Sequence, residues 1–197
     1  MESGTLPSGA IPAEAADRLR LNRDANIAAR AARLLPAQGP AGNLQARIDA
    51  VTTALKAGPG NPYAGEATFT ARCASCHKLF FKGGNLGPDL TAYQRDNLGT
   101  MLLSIINPDA EIREGYQYQV VETNDGRSLG GFIVERDNQV TVLRGPGGEN
   151  MTLRAGEIRE IRPMGRSLMP SGLLDGLSDQ DLRDLFAYLR ISQPITR

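Results

Sequence analysis

Cys73-Ala74-Ser75-Cys76-His77 holds both cysteines and the only histidine of this 197-residue chain. Two thiols two residues apart, followed at once by an imidazole, have three chemical uses. A structural zinc site needs four ligands, and no further Cys or His exists to complete one. A thioredoxin-like dithiol needs a strand before the pair and a helix after it, within a βαβ pattern; here a helical pattern precedes and a glycine-rich loop follows. The third use is covalent attachment of a c-type haem. Each thiol adds across one vinyl group, the two-residue gap sets the sulfurs at the vinyl separation, and the adjacent imidazole lies under the ring. On this reading Cys73 and Cys76 anchor one haem c and His77 is its proximal iron ligand.

Composition agrees with a buried cofactor. Aromatic residues make up 5% of the chain and Trp is absent, which is lean for a domain of this size unless a porphyrin fills part of the core. Lys and Arg number 22 and Asp and Glu 22, with no dense basic cluster, so the electrostatic footprint of a nucleic-acid binder is missing. No apolar stretch reaches the length of a membrane span, and Met1-Glu2-Ser3-Gly4 lacks the regions of a secretory signal. Covalent haem attachment takes place outside the cytoplasm in bacteria. The expected setting is therefore periplasmic or otherwise extracytoplasmic, with a signal or larger N-terminal region missing from the sequence.

Outward from the motif, Pro62 opens a helix that carries Gly65 and Phe69 and delivers the chain to Cys73. Gly83, Gly84, Gly87 and Pro88 mark a loop, and Asn97 to Ile106 reads as a helix stopped by Asn107-Pro108. Upstream, residues 13–35 read as two short helices broken near Asn22 and ended by Pro36 and Gly39. Asn43 then caps a helix with Leu44, Ile48, Val51 and Leu55 at helical spacing, stopped at Gly58-Pro59.

From Tyr116 the apolar period changes to two. The β-rich runs 116–122, 128–135, 140–144, 151–153 and 157–162 are separated by turn signals such as Asn124-Asp125-Gly126. The alternating Val120, Phe132, Val134, Val140 and Val142 are expected to face a sheet core. A last helix starts at Ser178, with Asp181 three residues on, and runs through Leu182, Leu185, Phe186 and Leu189.

A sixth iron ligand must be something other than histidine, and Met is the natural candidate. Met1 is terminal, Met101 lies in a helix and Met151 in the sheet, leaving Met164 and Met169. Met169, in Ser167-Leu168-Met169-Pro170, sits in a Pro-stiffened loop before the last helix and is the expected ligand, with Met164 in reserve. The alternative for Met169 is that it fills a core gap.

With these residues the chain resembles the class I cytochromes c over residues 61–190, and more narrowly the haem-binding domains of planctomycete-type secreted dehydrogenase-like proteins. Gly65, Phe69 and Cys73 have the family spacing, and Leu185, Tyr188 and Leu189 match the C-terminal helix that crosses it. Gly87-Pro88-Asp89-Leu90 is similar to the segment whose proline carbonyl accepts a hydrogen bond from the proximal histidine. The resemblance implies that Phe69, Gly87, Pro88, Leu90, Tyr93, Leu102 and Ile105 line the haem pocket. The narrower likeness rests on Asn107-Pro108, Gly115-Tyr116, Asp125-Gly126, Ser167 to Pro170 and Gly172-Leu173-Leu174.

The expected fold is mainly α: a class I cytochrome c fold over 59–197. An antiparallel sheet is inserted at about 115–162, between the helix after the haem loop and the methionine loop, and a helical appendage covers 1–58. The expected function is single-electron transfer rather than enzymatic turnover. The donor would be a periplasmic dehydrogenase and the acceptor an oxidase or another cytochrome. A gas-binding haem sensor with a labile or absent sixth ligand is the alternative. A peroxidase-like enzyme lacks a distal histidine.

Overall fold

The computed structural model describes residues 19, 24–34 and 44–196. The break near Asn22, the Pro36 and Gly39 stop and the Asn43 cap lie outside the described residues. The helices are α1 (Ala25–Leu34), α2 (Leu44–Lys56), α3 (Pro62–Arg72), α4 (Leu98–Ile106) and α5 (Asp179–Leu189). The strands are β1 (Lys78–Leu79), β2 (Lys82–Gly83), β3 (Gln117–Thr123), β4 (Ser128–Arg136), β5 (Val140–Arg144), β6 (Asn150–Arg154) and β7 (Ile158–Ser167). The chain divides into two compact units, one from residues 40–112 and 171–197, the other from 113–170 with residues up to 39. A mainly α description fits the first unit only; the second is built on a five-stranded sheet. Among the described residues no helix is long and apolar enough to cross a membrane.

In the helical unit, local chemistry sets the helix ends. Asn61 caps α3 by accepting from the Tyr63 N–H at 2.9 Å, and Pro62 takes the first position, where its missing N–H costs nothing. Asn97 caps α4 by accepting from the Thr100 N–H. At α5 the Ser178 hydroxyl accepts from the Asp181 N–H at 3.1 Å while the Asp181 carboxylate accepts from the Ser178 N–H at 3.0 Å. Ser178→Ala is expected to lower stability by about 1 kcal/mol in a denaturant melt. The Ser178 hydrogen bonds hold the Asp181 carboxyl below its usual range. Its contribution is therefore present above the unfolded-state pKa and lost as pH falls through the lower folded one.

The α3 and α5 helices approach until backbone meets backbone. A Cβ at Gly65 would lie 1.9 Å from the Asp184 carbonyl oxygen and 2.9 Å from Tyr188 Cβ, so only glycine fits the crossing. One turn along α3, Phe69 packs on Tyr188 with ring centroids 5.3 Å apart and planes tilted by 52°, a favoured aromatic arrangement. The buried Asp184 carboxylate accepts from the Asn61 N–H and from Gln180 Nε2, each at 2.7 Å, which satisfies it where water is excluded. Phe69, Leu79, Leu102, Ile106, Leu185 and Leu189 form the core. The α2 helix, which the sequence grouped with an appendage, shares that core through Val51 and Ala54. Arg183 Nη1 also donates to the Ala54 carbonyl at 3.1 Å.

The sheet runs β6-β5-β4-β3-β7, antiparallel throughout, with β7 returning to pair with β3. Its strands follow the runs expected from sequence except at two places. The closing strand continues past Pro163 to Ser167; it is an edge strand, where a missing N–H breaks no ladder on the outer side. The expected inward face is also displaced. One core cluster of the sheet is Val121, Leu143 and Leu153, whereas Val134 is 42% exposed. The β4–β5 register shifts between Ile133 and Glu135, which takes Val134 out of the strand pairing, and the expected Val140 and Val142 are only half-buried. Val120 and Phe132 are buried as expected, on the other face of their strands. Glu122, 4% exposed, is held by the Ser128 hydroxyl at 2.9 Å and by Arg162 and Arg159 at 3.3 and 3.5 Å.

Candidate functional site

The end of α3 does not release the chain into a loop. The Cys73 and Ala74 N–H groups donate to the Phe69 carbonyl at 2.8 and 3.0 Å, and those of Cys76 and His77 donate to the Cys73 carbonyl at 3.1 and 2.9 Å. The five motif residues are thus wound as one further turn, which brings both thiols and the imidazole together. Both cysteines are free and partly exposed. Burial, then the neighbouring Cys76, pushes the Cys73 thiol up to about 11. An attacking thiol needs the opposite shift, toward thiolate at neutral pH, so Cys73 lacks the electrostatics of a redox nucleophile.

His77 Nδ1 lies 2.9 Å from the Pro88 carbonyl oxygen. A carbonyl only accepts, so Nδ1 carries the proton and Nε2 keeps its lone pair. Burial lowers the His77 pKa, with the Pro88 bond acting against it, and a neutral ring is the form that ligates a metal. Gly87 sits against the face of that ring: a Cβ there would stand 2.6 Å from Cε1 and 2.8 Å from Nδ1. The loop is laced to the motif through backbone bonds, Gly84 N–H to Ala74, Gly87 N–H to Cys76 and Leu90 N–H to Lys78, at 2.7, 2.8 and 2.8 Å.

Two free thiols on one turn, a neutral imidazole with its outer nitrogen available, and a glycine cradle beside the ring fit a c-type haem. Of the other expected pocket residues, Phe69 and Leu102 lie in the core, and Leu90 and Ile105 pack on it. Tyr93 is 39% exposed. Met101 is buried in the helical core and Met151 packs on the sheet core. Met164 lies inside β7. Met169 follows the end of β7 in the sheet unit, its N–H donated to the Ser167 hydroxyl at 3.0 Å.

Three features escaped sequence reasoning. The residues after His77 form the β1–β2 hairpin, with Phe80 at a φ of 55°, and Lys82 in that hairpin pairs with the buried Glu66 of α3. Arg95 donates to backbone carbonyls near the end of α5. These residue types read as solvated surface, and their partners lie 16 and more than 90 positions away.

Residues 63–131 match the family model for cytochrome c. That span takes in the attachment turn, the Gly87-Pro88 loop and α4, and ends in β4. No curated protein was found that matches the chain.

Proposed function

We propose that this chain is a c-type cytochrome, holding one haem c covalently, and that it carries single electrons between protein partners outside the cytoplasm. Cys73 and Cys76 would be the thioether anchors, His77 the proximal ligand and Met169 the sixth ligand. The donor is a dehydrogenase of the secreted kind that the sequence resemblance suggests, and the acceptor an oxidase or another cytochrome. The sheet over about 115–162 is then an insertion within a cytochrome domain that resumes with α5.

The observation that carries this reading is the hydrogen bond from His77 Nδ1 to the Pro88 carbonyl. Such a bond fixes the ring and makes its other nitrogen a stronger donor to a metal. Bound haem supplies a one-electron couple. The protein's part is to keep the same ligands in both oxidation states, so that little moves when the electron does, and a His/Met pair does this while favouring the ferrous state. Met169 is preferred because Met101 and Met151 are committed to cores, while Met169 stands beyond the end of β7; Met164, inside β7, is the reserve.

Spectra of the haem-loaded protein test the assignment. The wild type is expected to be low-spin, with the weak ferric band at the red end of the spectrum that sulfur ligation produces. Met169→Ala should lose that band and bind carbon monoxide at once when reduced, while Met164→Ala keeps it. A high-spin wild type that takes up carbon monoxide immediately would instead make the protein a gas-binding sensor.

A further inference from the structure

Arg95 is an unusual residue for the surface of a small helical unit. Its Nη1 donates to the carbonyls of Leu189 and Ile191 at 2.7 and 2.8 Å, and its Nη2 to the Thr91 carbonyl at 3.4 Å. Its guanidinium carbon lies 5.2 Å from the centre of the Phe80 ring. The carbonyls at the end of α5 have no partners within the helix and form the negative end of its dipole, so a planar cation with several donors suits them. Nε is buried with no hydrogen-bond partner among the described residues. Such an orphaned donor is costly.

The other end of this tie leads to the histidine. Arg95 closes the loop that Pro88 opens, and the loop between them is internally braced. Thr91 N–H donates to the Asp89 carboxylate at 2.8 Å, Tyr93 N–H to the Leu90 carbonyl at 3.1 Å, and Arg95 N–H to the Tyr93 carbonyl at 2.9 Å. The Thr91 hydroxyl accepts from the Phe80 N–H at 2.6 Å, so the hairpin that follows His77 is held by the same loop. A displacement of Arg95 is thus transmitted to the Pro88 carbonyl through a short, hydrogen-bonded segment.

We propose that Arg95 is a positioning residue for the proximal histidine: it anchors the Pro88 loop to the end of α5 and so holds the Pro88 oxygen against His77 Nδ1. This rests on the reading of His77 as an iron ligand. Arg95 touches neither the imidazole nor the attachment cysteines; its effect is on how firmly the imidazole is held and how strongly it donates.

The test is Arg95→Gln in the haem-loaded protein, read by NMR as exchange of the His77 Nδ1 proton and by potentiometry. Exchange is expected to be about tenfold faster, the equivalent of losing one hydrogen bond to a charged group, and the reduction potential to rise as the imidazole donates less strongly. Arg95→Lys keeps the charge at the helix end but cannot reach both α5 and Thr91, and should shift both readouts in the same direction if Arg95→Gln does not fold. Ser178→Ala, which weakens α5 at its other end, should lower stability without moving either readout. Wild-type exchange and potential in the Arg95 variants, with His77 still showing the shifts of an iron ligand, overturn the inference alone. A wild-type His77 without those shifts overturns the ligand assignment and the inference with it.

Discussion

Gly65→Ala is expected to destabilise the haem-loaded protein by a net amount of about 2 kcal/mol, although it replaces a glycine inside a helix. Helix propensity alone gives the opposite sign: Ala in place of a mid-helix Gly is favoured by about 0.5–1 kcal/mol. Packing decides against it. The added methyl would lie 1.9 Å from the Asp184 carbonyl oxygen, and that oxygen is backbone in α5, so no side chain can swing aside. The two helices must separate. That opens the Phe69–Tyr188 contact one turn away and loosens the turn that carries Cys73, at a cost of about 3 kcal/mol, the upper end for overpacking. Denaturant unfolding followed by haem absorbance measures the sum, and an unchanged or raised midpoint would show that the crossing has slack the structure does not suggest.

Gly87→Ala is expected to act on the redox centre more than on stability. Its Cβ would stand 2.6 Å from His77 Cε1, 2.8 Å from Nδ1 and 3.1 Å from Nε2. Either the imidazole turns or the loop lifts, and both lengthen the bond between Nδ1 and the Pro88 carbonyl. Losing that support makes the imidazole a weaker donor and stabilises the ferric state less. If the loss is about tenfold, the lower end of what such supporting bonds contribute, the potential rises by about 60 mV for one electron. Potentiometric titration of the variant against the wild type reads this directly. An unchanged potential would mean that the ring is held by its covalent neighbour Cys76 rather than by the loop.

These two glycines also mark how far the sequence can be read. Gly65 and Gly87 stand out by their spacing from Cys73 and Pro88, but what each one avoids is invisible until the partner is in place. The helix ends were legible because a cap is a local event: Asn61, Asn97 and Ser178 satisfy N–H groups two or three residues away. The strands were legible for the same reason, from β-branched runs between turn residues. The inward face of the sheet was only partly so. A register shift takes Val134 out of the pairing, and Val121, Leu143 and Leu153, on the opposite alternation, form a core cluster; the residue types announce neither.

By itself the sequence determined which reactive groups stand together. Cys73, Cys76 and His77 can be brought together by one helical turn, so their relation needs no distant contact. The tertiary structure alone decided what surrounds them: the close crossing of α3 and α5 at Gly65, the pairing of Lys82 with Glu66, the sharing of one core by α2 and α5, and the tie from Arg95 to Leu189 and Ile191. Each joins groups that are far apart in the chain, and charged or small residues accept many partners equally well. Which partner they take is fixed only when the core has closed and placed it within reach.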